Sequence, residues 1–234
     1  MRILCVADHI DPLVYSAHIK ERYEDIDLVL SAGDLPMDYL GFLASSLNKP
    51  VVFVFGNHNL KHLDRFRGRT RSVFEEPMQK GFVNFFGATH VGGKVKKIKG
   101  LLIAGLGGSK RYNNGENQFT ERQMMWKIVR MLPRLWWNRV FHGRFLDVFL
   151  AHAPPYGVGD KPDPCHEGFR AFKWFLRKFR PAVMVHGHIH LYDLNARRER
   201  RYNGVPIINV YNHHLLELEE TDGAFRPTGS ITRL

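Results

Sequence analysis

Cysteine is scarce: Cys5 and Cys165 are the two present in 234 residues. That pair excludes a disulfide-stapled scaffold and supplies no thiolate set for a structural zinc. Long apolar runs are also missing, since none approaches the ~20 residues of a membrane span. The N-terminal run at 3–7 stops at Asp8 and is too short for a signal-peptide core, so the expected location is cytoplasmic, with contact at a membrane surface left open. No stretch is rich enough in Pro, Gly or Ser to act as a linker, and no repeat is visible. One domain over 1–234 is expected. Acids are in deficit, with 23 Asp and Glu against 34 Lys and Arg, a formal charge of +11. Such a field draws polyanions without choosing among phosphorylated metabolites, nucleic acid and anionic lipid.

What is present is an alternation of short apolar runs and helical stretches. Strands are expected at 2–7, 28–32, 51–55, 101–106, 146–150, 182–186, 205–211 and 214–218, with helices at 14–23 and 37–47. The opening β-α-β-α-β order implies an α/β fold built on a largely parallel sheet. In such sheets ligands bind outside the carboxyl ends of strands. Asp8 follows the first run, Asp34 the second, Asn57 and His58 the third, His152 a later one, and His188 and His190 the one after. A lone Gly-Asp or a lone His is usually a turn or a structural residue. Five separate strand ends, taken in order, that each deliver an oxygen or imidazole donor carry far more weight. Mixed Asp, Asn and His donors suit Mn, Fe or Zn.

The set Asp8, Gly33-Asp34, Gly56-Asn57-His58, His152 and Gly187-His188-Ile189-His190 resembles the calcineurin-like metallophosphoesterase family. The resemblance implies a two-sheet sandwich flanked by helices (α/β/β/α), with two divalent ions, Mn foremost, at one edge. It implies that Asp34 bridges both ions, that Asp8 and His190 hold one, and that Asn57, His152 and His188 hold the other. His58 would face the substrate phosphate as the catalytic residue. The implied reaction is hydrolysis of a phosphomonoester, phosphodiester or pyrophosphate. Two cations lower the pKa of water and offset phosphate charge, while a protonated His58 donates to the departing oxygen. A non-catalytic scaffold and a nuclease are the alternatives.

Two positions depart from the family pattern. Ile10 stands where a histidine is usual after the first strand, and Asn59 where an acid commonly follows the catalytic histidine. Asp11 is a candidate substitute ligand, with an Asx turn before Pro12 as the equal alternative. His9 is expected to point to the opposite face. His166 is a candidate substrate contact on a loop after Pro154-Pro155, and Arg65, Arg67, Arg69 and Arg71 form an alternating basic run. Segment 123–144 holds three of the four tryptophans and five cations without a single acid. Met125, Ile128, Val129 and Leu132 are read as its buried stripe, with Pro133 kinking it or starting a second helix. The segment, near 120–145, is expected to form a basic aromatic cap in which Trp136 and Trp137 touch an amphiphilic substrate or a lipid surface. Nucleic acid is the less favoured partner, and a helix packed on the sheet with a solvated basic face is the plainer reading.

Overall fold

The computed structural model describes residues 1–67, 84–193, 195–221 and 223–231. Arg69 and Arg71 of the basic run therefore lie outside the described residues. The chain opens with β1 (Arg2–Ala7), α1 (Ile19–Arg22), β2 (Leu28–Ser31), α2 (Met37–Leu47), β3 (Val51–Phe53) and α3 (Leu63–Arg67). Next come β4 (Asn84–Phe85), β5 (Ala88–His90), β6 (Lys94–Ile98), β7 (Leu101–Leu106), β8 (Ser109–Lys110) and β9 (Gln118–Phe119). The remainder is α4 (Glu121–His142), β10 (Val148–Ala151), α5 (Arg170–Phe179), β11 (Val183–His186), β12 (Glu199–Tyr202), β13 (Val205–Asn209), β14 (Asn212–Thr221) and β15 (Ala224–Ile231).

These strands form two large sheets, ordered β15-β14-β1-β2-β3-β5-β4 and β12-β13-β11-β10-β7-β6. The centre of each is parallel, and antiparallel strands close the edges. The central strands are apolar on both faces because both faces are covered. Ile3, Leu28 and Leu30 of the first sheet meet Ile103, Leu150 and Val183 of the second in a shared core. Leu4, Val29 and Leu40 pack the first sheet against α2, while Phe149, Ile128 and Phe172 pack the second against α4 and α5. This is the expected sandwich of two sheets between helical layers.

Several details differ from the expectations. The helix foreseen at 14–23 shrinks to α1, because Asp11 opens a turn whose carbonyl accepts from both Val14 and Tyr15 amides. α4 runs unbroken through Pro133, whose ring sits on the exposed side where no core contact is disturbed. A capping box between Thr120 and Gln123 starts it, and Gly143 at φ +69° stops it. Its buried stripe is Met124, Ile128, Met131 and Leu135, so Val129 is exposed rather than buried. The strands β6 and β12 went unforeseen because their sequences, KVKKI and ERRY, are those of charged sheet edges.

Candidate metal centre

The donor-bearing loops meet where the carboxyl ends of the two sheets adjoin. Asp8, Asp34 and Asn57 come from the first sheet, and His152 and His188 from the second. Ligand atoms of Asp8, Asp34 and His152 all lie within 4.8 Å of one another. Close approach of the loops demands glycine. A Cβ on Gly56 would stand 2.0 Å from the Asp34 carboxylate, and one on Gly33, at φ +107°, would meet both Gly56 and the His152 ring. Asp8, Asp34 and His188 themselves sit in the left-handed region at φ +67°, +59° and +66°. Non-glycine residues there store strain that the surrounding fold must hold.

Hydrogen bonds fix the candidate ligands one by one. His152 is fully buried, and its Nδ1 donates to the Ala32 carbonyl at 2.8 Å. Its Nε2 therefore faces Asn57 Oδ1 at 3.1 Å and Asp34 Oδ2 at 3.4 Å. With Nδ1 as the donor, three lone pairs converge on one point, an arrangement that a proton or a metal cation satisfies. With no ion, the cation is a proton. Burial pushes the His152 imidazole down, but the Asp34 carboxylate outweighs it and holds the group up at about 9. Burial would lift Asp34, yet His152 and the His58 amide bring it down to about 2. Asp8 is raised to about 7 by burial, His152 opposing and the Asp34 charge adding. This donor set fits divalent cations, which replace shared protons with fixed positive charge.

The other expected ligands are placed less uniformly. The His188 amide donates to both Asp8 oxygens at 2.9–3.0 Å, and its Nε2 donates to the Cys165 carbonyl at 2.7 Å, leaving Nδ1 as its lone-pair atom. Its ring lies 4.9 Å from that of His152. His190 stands apart, its ring tilted 31° to that of Tyr211 at 4.9 Å, with Nδ1 2.9 Å from the Tyr192 hydroxyl. His58 is exposed at the rim, its amide donating to Asp34 Oδ1 at 2.7 Å. Asn59, at φ +52°, donates its side-chain amide to the Asp34 carbonyl, so it braces that loop rather than the His58 ring.

At the first motif, Ile10 packs against the core beside α2. Asp11 forms the Asx turn: one oxygen accepts from Leu13 N at 2.9 Å and the other meets His213 Nδ1 at 2.6 Å. His9 does not point away as expected. The left-handed Asp8 breaks the strand's alternation, and the His9 ring lies 6.4 Å from Tyr211, the ring that also neighbours His190. His166 does reach the site, its ring 5.6 Å from His188 and its Nδ1 2.7 Å from Asp163. Trp136 and Trp137 do not. α4 starts beside the site, where Asn117 donates to the Gly56 carbonyl at 2.6 Å, and both tryptophans lie roughly 22 Å further along its axis.

A family model for calcineurin-like phosphoesterases matches residues 1–192. The chain belongs to this family. Protein TT1561 of Thermus thermophilus superposes with a TM-score of 0.57 at 13% identity, over 92% of this chain and 93% of its own. Another solved structure reaches 0.60 at 12% identity, over 92% and 94%. Both show the fold alone. An uncharacterized protein of Methanocaldococcus jannaschii, MJ1162, is 28% identical over 104 residues. That match covers 42% of this chain and 44% of the relative, less than half of either protein.

Sequence reasoning missed the residues that brace the site. Asn209 donates to the Ile189 carbonyl at 2.7 Å and accepts from the Tyr211 amide, which pins the loop carrying His188 and His190. Asn117 and Tyr112 brace the Asn57 loop in the same way, the hydroxyl 3.5 Å from Asn57 Nδ2. One signal was available: Asn209 closes an apolar strand and Tyr211 follows it, a sixth strand end beside the same loops.

Proposed function

We propose that this calcineurin-like phosphoesterase is a dinuclear-metal hydrolase of phosphate esters or anhydrides, with manganese the favoured ion. In this reading Asp8, Asp34 and His190 would hold one ion, and Asp34, Asn57, His152 and His188 would hold the other. The single observation behind this reading is the convergence of Asp34, Asn57 and His152 lone pairs on one point, with His58 exposed on the adjoining turn. When bound, the ions supply Lewis acidity that offsets phosphate charge and makes water acidic. Asp34 orients the reacting end of the site by holding the His58 amide. The His58 imidazole, at the rim, holds the proton that passes to the departing oxygen. His166, braced on Asp163, takes a second side of the phosphate as a donor.

A second reading has one observation in its favour. Ile10 and Asp11 both serve the core and the turn, which leaves the first ion short of a donor and keeps a non-catalytic scaffold in view. Hydrolysis of bis-p-nitrophenyl phosphate with and without manganese separates the two. Metal-dependent turnover, lost on chelation and in Asp34→Asn, supports the hydrolase. No turnover with Mn, Fe or Zn in a protein that holds metal supports the scaffold. A nucleotide, a nucleic acid and an amphiphilic pyrophosphate are then compared as substrates in the same assay.

A further inference from the structure

α4 is apolar on two sides. Met124, Ile128, Met131 and Leu135 bury one stripe against the second sheet. Trp126, Val129, Trp137 and Val140 recur at helical spacing on the opposite stripe, with Phe141 beside them. Trp126 is 66% exposed, Trp137 52%, Val140 73% and Phe141 59%. The Trp137 and Phe141 rings lie 4.1 Å apart, one turn of helix from each other, and make a single aromatic platform. A helix apolar all round is normally covered on both sides, and contiguous exposed apolar surface of this kind marks an interaction site. Among the described residues nothing covers this face.

Charge identifies the occupant. Between Arg122 and Arg144 the chain has no Asp or Glu, and Arg130 and Arg134 are exposed along the apolar stripe. The neighbouring α5 packs against α4, has no acid, and exposes Arg177 and Lys178. A second copy of the chain docked here would set arginine against arginine with no carboxylate on these stretches to pair them. Nucleic acid would use the arginines and tryptophans, but Val129, Pro133 and Val140 offer no stacking surface and a lone convex helix offers no groove. An anionic bilayer satisfies both features, since headgroup phosphates pair with the arginines while rings and valines enter the acyl boundary.

We infer that the outer face of α4 is a docking surface for anionic lipid bilayers, on which the protein sits peripherally. α4 then lies in the plane of the interface. No helix among the described residues is long and apolar enough to cross a membrane, so this contact is an adsorption. The inference is independent of catalysis, because it is read by binding alone.

The test is flotation with vesicles of phosphatidylcholine, pure or containing about 30 mol% phosphatidylglycerol, alongside tryptophan emission. Binding is expected only with the anionic lipid, accompanied by a blue shift as tryptophan leaves water. Added salt should weaken it while leaving a residual apolar component. Trp137→Ala combined with Phe141→Ala should lower partitioning at least about tenfold with an unchanged thermal melt. Arg130→Gln and Arg134→Gln should each lower it by about fivefold. Failure to float with the anionic vesicles overturns the inference. So does binding abolished by salt without a blue shift, stronger binding to single-stranded DNA that the same variants lose, or a concentration-dependent dimer that Trp137→Ala/Phe141→Ala dissolves.

Discussion

His58 stands exposed on a turn held at two points, by its own amide on Asp34 and by Asn59 on the Asp34 carbonyl. Removing its ring leaves those anchors in place. His58→Ala should therefore lower kcat by about 10²–10⁴-fold, the range of general acid catalysis, with metal content unchanged by elemental analysis. Loss of metal together with activity would give His58 a different role. The protons of Asp8 and His152 supply a second expectation. Burial holds Asp8 up at about 7, and burial opposed by the stronger Asp34 charge leaves His152 at about 9. Both protons must leave before an ion enters, whereas Asp34, held at about 2, is ionised throughout. Metal affinity should therefore rise as pH climbs through 7 towards 9 and fall on acidification. Calorimetric titration with manganese on either side of pH 7 checks this, and a pH-independent affinity would contradict it. At this scale the donors were legible wherever an apolar run ended in a polar residue. The alternation rule failed at His9 because it presumes extended backbone, and Asp8 is left-handed.

Among the elements, α4 and α5 are joined in a way that propensity does not foreshadow. α5 begins at Phe169, which has no side chain able to cap it. Glu121, in the first turn of α4, accepts instead from the Arg170 and Ala171 amides at 2.9 and 3.1 Å. The carboxylate also meets the positive end of the α5 dipole. Glu121→Ala should cost about 1 kcal/mol, the usual loss for an N-cap, measured as a shift in the urea midpoint. An unchanged midpoint would mean that water replaces the carboxylate. α4 also differs from the expected stripe for a physical reason. With apolar residues on both stripes, periodicity identifies a helix but not which side faces the sheet.

On the scale of the whole molecule, the core between the sheets joins the two halves. Leu150 is fully buried in it, among side chains of both sheets. Leu150→Ala should destabilise by about 3 kcal/mol. Circular dichroism and tryptophan emission should then shift together along a urea gradient, because neither sheet can lose that core alone. Separate transitions would show that the sheets unfold independently. The order of apolar runs and the polar residues closing them determined the α/β class and most of the candidate donors, because strand formation and strand-end chemistry are local properties, while the two-sheet sandwich followed from the family resemblance those residues carry. Tertiary structure decided the rest. Whether Asp11 turns the chain or reaches the site depends on His213, 202 residues away. Whether the tryptophans of α4 line the metal edge or an outer surface depends on how the helix lies across the sheet. Both are long-range packing outcomes, and no local pattern encodes them.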